Sequence, residues 1–122
     1  MLRFGKTAGI RPYDAAEQAR AGRLVLVDVR EPAERRELAP GVPSRHIPLG
    51  QLASRIGELP SDVPVAFVCR SGGRSARATR IAAAAGLDAR NVAGGMTAWS
   101  AARLPVVRGR HGDPEPAGGD RR

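Results

Sequence analysis

The chain has one cysteine, Cys69, and that scarcity excludes an internal disulfide, a C-x-x-C redox pair and a thiolate zinc cluster. With His46 and His111 the only histidines, no protein metal site is expected. Aromatic residues make up 3% of the chain, so the core must be built from Val, Leu, Ile and Ala, which favours close packing of helices on a sheet. No stretch approaches the ~18 apolar residues that span a bilayer. The N-terminal "MLRFGKTAGIRPYD" also lacks the apolar centre of a signal peptide, so the expected setting is cytoplasmic, with no membrane partner.

Lysine occurs once, at Lys6, and the formal net charge of +8 is carried almost entirely by arginine. A charge of that size attracts polyanions at long range. The arginines are nevertheless scattered, no run of Lys/Arg exceeds two residues, and no aromatic residues alternate with them as base stacking requires. This argues against nucleic acid as a partner and reads as a genomic bias toward Arg and Ala.

At 122 residues the chain has the size of one domain with one core. Strand and helix patterns alternate along it. "PYDAAEQARA" (12–21) reads as a helix ended by Gly22, and "LVLVDV" (24–29) as a strand buried on both faces. "REPAERREL" (30–38) reads as a helix with Pro32 in its first turn, followed by a Pro- and Gly-rich loop with a short strand at 46–49. A helix over 51–57 precedes the second buried strand, "VPVAFVC" (63–69). A long helix then starts at Ser75 and is capped by Gly86 and Leu87. "ARNVAGGM" supplies a short strand and turn, and "TAWSAAR" a last helix in which Met96 and Trp99 belong to the packing. Residues 9–108 form the expected α/β domain with a mainly parallel sheet. The segment 109–122 has no large apolar residue and is expected to be disordered.

Cys69 stands where a parallel strand ends and a helix follows, the position at which α/β sheets place their sites. Its neighbours decide against an inert buried thiol. Gly72 and Gly73 let successive N–H groups turn inward as an anion nest, and the next helix points its positive end at the same place. Arg70 and Arg74 add fixed charge. Together these lower the thiol pKa from its usual ~8.5 and create a cradle for a covalent, anionic intermediate. Four residues separate Cys69 from Arg74. Cysteine phosphatases need one more, because a tetrahedral phosphate is larger than one added sulfur atom, so a phosphatase or arsenate reductase fits less well than a persulfide carrier.

"CRSGGRS" (69–75), "VDVREPAE" (27–34), "HIPL" (46–49) and "NVAGGMTAW" (91–99) occur in the order of the motifs of single-domain rhodaneses, which the chain resembles over residues 9–105. The resemblance implies a five-stranded parallel sheet flanked by helices on both faces. It implies a sulfurtransferase in which Cys69 carries a persulfide, the backbone of Arg70, Ser71, Gly72, Gly73 and Arg74 holds the sulfur, Ser75 belongs to the same anion-binding loop, and Arg74 orients the donor. The substrates would be a small anionic donor such as thiosulfate and a thiol or cyanide acceptor, with a protein thiol as a further partner and no cofactor. A carrier module loaded by another protein is the alternative. Asp28, Arg30 and Glu31 are expected to form a polar network under the site, Arg77 and Arg80 to face solvent, and His46 to be structural. Arg35 stands where the family often has an aromatic residue, which is expected to open one edge of the core.

Overall fold

The computed structural model describes residues 8–109; of the predicted disordered tail only Gly109 falls within that range. Five parallel strands form the central sheet in the order β1-β6-β5-β2-β4, where β1 is Gly9–Ile10, β2 Val25–Asp28, β4 Arg45–His46, β5 Val65–Val68 and β6 Ala89–Val92. Two strands, β3 (Leu38–Pro40) and β7 (Val106–Arg108), pair antiparallel as a separate ribbon. The helices are α1 (Pro12–Arg20), α2 (Pro32–Glu37), α3 (Leu49–Arg55), α4 (Gly73–Ala84) and α5 (Gly95–Ala101).

The one expected core is divided by the sheet into two. Strand side chains alternate between faces, so Leu26, Ala66, Val68 and Val92 pack with Ala15, Ala16 and Ala19 of α1 and with Met96 and Trp99 of α5. Val27, Val65 and Phe67 face the other way, against Leu52 of α3 and Ala78 and Ala82 of α4. Alanine on two of these helices, α1 and α4, lets them lie close to the sheet, which is how a chain poor in aromatics fills its interior. Trp99 is wholly buried, and its indole N–H donates to the Pro105 carbonyl at 2.8 Å.

Several boundaries differ from the sequence reading. The strand predicted at 46–49 is Arg45–His46, because Pro48 is extended at the N-cap and Leu49 already begins α3. That helix ends at Arg55 and tightens into a 3-10 turn over Ile56–Glu58. The helix predicted over 30–38 contracts to Pro32–Glu37, and Leu38 turns extended to pair with Arg108. The long helix starts at Gly73, two residues before Ser75. It closes as expected: Gly86, at φ +91°, and Leu87 donate their N–H groups to Ala83 and Ala82 carbonyls at 3.0 and 3.1 Å.

Arg35 does not open the core edge. Its side chain lies inside, donating to Asp28 Oδ2 at 3.3 Å and to Ser44 Oγ at 3.1 Å. The arginine stem supplies apolar packing and its guanidinium finds acceptors that an aromatic ring would have left unpaired.

Candidate active site

Cys69 follows β5 at the carboxyl edge of the sheet and is 1% exposed. Gly72, the N-cap of α4, has φ +118°, and this left-handed turn bends the chain back over the sulfur. Two backbone N–H groups donate to Sγ, Gly72 at 3.1 Å and Ser75 at 3.3 Å, and the Ser75 hydroxyl lies 3.3 Å away. Burial pushes the thiol pKa up, but the bonds from the Ser75 hydroxyl and from the Ser75, Gly72 and Ser71 amides outweigh it and the net shift is downward. The donors of the loop, rather than the arginines that bracket it, are the foremost acidifying groups.

Arg74 is engaged elsewhere. Its guanidinium grips Glu34 of α2 in a two-point bond of 2.8 and 2.9 Å. That bond, with a further one from the Glu31 amide, overcomes burial and holds the Glu34 carboxyl at about 2. Arg74 therefore ties α2 to the cysteine loop and does not offer a free cation above the sulfur. Arg70 is exposed and has no side-chain partner among the described residues.

Below the loop, Asp28 is completely buried. It accepts from the Arg30 amide and Nε at 3.0 Å each and from Arg30 Nη2 at 2.8 Å. Arg30 also donates to the Leu38 carbonyl, and with Arg35 the carboxylate faces two guanidinium groups. Glu31 is not part of this network: it is exposed and caps α2 through a reciprocal capping box with Glu34. His46 Nε2 sits 2.7 Å from the Arg30 carbonyl, in keeping with a structural role. Arg77 and Arg80 are exposed.

Sequence reasoning missed Asn91, Glu34 as the partner of Arg74, and the approach of Gly95. Asn91 on β6 accepts from Ser75 Oγ at 2.6 Å and donates to the Gly72 carbonyl at 3.3 Å, so it braces the loop from the neighbouring strand. Gly95 passes so close that an added Cβ would collide with the Cys69 and Arg70 carbonyls. This lets Met96 and Thr97 donate N–H bonds to those carbonyls at 2.8 and 3.0 Å. The advance signal for the last of these is the double glycine at 94–95, read above only as a turn and a motif.

The Ser75 hydroxyl has one proton and three acceptors within reach, Asn91 Oδ1, the Gly72 carbonyl and Cys69 Sγ. As a donor to Sγ it favours the thiolate. Ser75→Ala removes that donor, so the pKa of Cys69 is expected to rise and the pH profile of iodoacetamide alkylation to move to higher pH, with slower reaction at neutrality. A midpoint that stays or falls would show that the backbone amides suffice.

Beside the loop lies a cavity of about 310 Å³, walled by α2, the β3–β7 ribbon and α5, with Arg70, Met96 and Ser100 among its lining residues. Among the described residues no group of three or more His, Cys, Asp or Glu is placed to hold a metal, and no helix is long and apolar enough to cross a membrane.

Comparison with known proteins places this fold in a family. A protein named sulfurtransferase from Allochromatium vinosum is 36% identical over 87 residues, which are 69% of this chain and 78% of that one. The HTH-type transcriptional regulator Rv0324 of Mycobacterium tuberculosis is 35% identical over 113 residues, covering 84% of this chain and 50% of the regulator. The crystal structure of a rhodanese-related protein from Thermoplasma volcanium superposes with a TM-score of 0.74 at 31% identity, over 82% of this chain and 97% of that one. The family model for the Rhodanese-like domain matches residues 12–102. With this match, these relatives and the parallel sheet in agreement, the chain belongs to the rhodanese-like domain family.

Proposed function

We propose that this protein is a sulfurtransferase that carries a sulfane sulfur as a persulfide on Cys69. The observation that supports it most is the ring of donors around one buried sulfur, from Gly72 and Ser75 at 3.1 and 3.3 Å. Such donors stabilise a thiolate and also the negative charge of a persulfide formed on it. In the first half-reaction the thiolate attacks the outer sulfur of thiosulfate, the S–S bond of the donor breaks, and sulfite leaves with the electron pair. In the second, cyanide or a thiol attacks the outer sulfur of the persulfide, and the pair released by the breaking S–S bond returns to Cys69 Sγ. Thiocyanate or a new persulfide departs, and no cofactor is needed.

A second reading, a carrier loaded by a partner protein, is favoured by the engagement of Arg74 with Glu34, which withdraws a cation from a free anionic donor. The test is intact-protein mass after incubation with thiosulfate. The sulfurtransferase reading expects a gain of one sulfur atom, reversed by cyanide with release of thiocyanate. No gain on folded protein overturns the thiosulfate reading, and gain from a persulfidated protein donor alone leaves the carrier. Release of phosphate from an aryl phosphate would instead establish the phosphatase alternative.

A further inference from the structure

The cavity beside the cysteine loop contains groups that neither half-reaction above employs. Of the charged residues lining it, Arg30 is neutralised by Asp28 and Glu34 by Arg74. Arg70, Arg108 and Glu37 also line it, all three exposed and none with a side-chain partner among the described residues. The uncommitted balance is thus two positive charges against one negative. Ser100 also lines it and has a buried Oγ with no hydrogen-bond partner among the described residues, which is costly unless a ligand completes it. Met96 and Leu38 supply an apolar wall. The cavity is also anchored to the reacting residue. The amides of Met96 and Thr97 bond the Cys69 and Arg70 carbonyls, and the Thr97 hydroxyl donates to the Arg70 carbonyl at 3.1 Å.

We infer that this cavity is the acceptor site and that it is built for a small amino-acid thiol. The carboxylate of such a molecule meets Arg70 and Arg108, its ammonium meets Glu37, its methylene lies on Met96 and Leu38, and Ser100 Oγ gains the partner it lacks. A thiolate, a carboxylate and an ammonium sum to one negative charge, the complement of the uncommitted balance. Cyanide and uncharged thiols engage none of these groups. The inference rests on the sulfurtransferase reading: the acceptor thiolate attacks the outer persulfide sulfur, the old S–S bond breaks with its electron pair returning to Cys69 Sγ, and the amino-acid persulfide departs as its anion.

The test compares discharge of the Cys69 persulfide by cysteine and by 2-mercaptoethanol in wild type, Arg108→Glu and Ser100→Ala. The expected result is a loss of selectivity for cysteine of about tenfold in Arg108→Glu, the size of one charge-assisted bond, and of a few-fold in Ser100→Ala. A selectivity ratio equal to that of wild type in both variants overturns the acceptor site. Mass spectrometry of the same samples reports whether the persulfide was loaded at all. If wild type never loads, the sulfurtransferase reading has failed, and the cavity is judged by amide NMR of Cys69→Ser titrated with S-methylcysteine, which cannot exchange sulfur. Shifts centred on Thr97, Ser100 and Arg108 uphold the site; their absence, or shifts centred elsewhere, overturns it.

Discussion

Cys69→Ser is expected to lose thiosulfate-to-cyanide sulfur transfer by at least about a thousandfold while keeping its fold. The oxygen is close in size to the sulfur and meets the same donors, the amides of Gly72 and Ser75, so packing in the loop changes little. The chemistry does not survive the exchange. Serine is protonated at any working pH, no base among the described residues bonds it, and an oxygen cannot hold a sulfane sulfur as a stable, exchangeable persulfide. Thiocyanate formation measures the loss, and a thermal melt beside wild type shows whether the fold is kept. Transfer retained by a folded variant would move the reaction away from this sulfur.

The largest stability effect is expected at Asp28. Removing its carboxylate in Asp28→Ala leaves Arg30, 4% exposed, without the charge it pairs with, and takes one acceptor from the buried Arg35. Breaking a buried pair in this way costs about 3–5 kcal/mol, because the remaining charge stays desolvated. For a domain of this size that is a fall in Tm of about 10–20 °C. Glu31→Ala is the contrast. Glu31 is exposed and only caps α2, so its loss costs about 1 kcal/mol. Thermal unfolding followed by circular dichroism compares the two directly. Equal losses would mean that Glu31 shares the buried network after all; a small loss for both would mean that the guanidinium groups reach water when Asp28 is gone.

The two arginines of the loop show where local reasoning stops. Both were read as positive charge for the sulfur, since the sequence places them on either side of Gly72 and Gly73. Arg74 instead finds Glu34, forty positions away in the chain, and the distant carboxylate takes its charge. Arg70 lines a cavity that Arg108 also lines. Neither destination has a local signal, because an ion pair between separate elements leaves no periodicity in either.

What the sequence determined by itself is the part of the fold that depends on neighbours along the chain. Val, Leu and Phe runs made β2 and β5 recognisable as strands buried on both faces. Gly86 ended α4, and the glycines after Cys69 announced a loop of inward N–H groups. Only the tertiary structure decided the rest. The β3–β7 ribbon joins three-residue segments, one ending in Pro40, whose pairing is stabilised by partners far along the chain and not by their own composition. Asn91 reaches Ser75 because β6 lies beside β5. Gly95 matters because a carbonyl from another element fills the space where a side chain would stand. Each of these features is a contact between elements, and its energy exists only once the chain has closed the loops that bring them together.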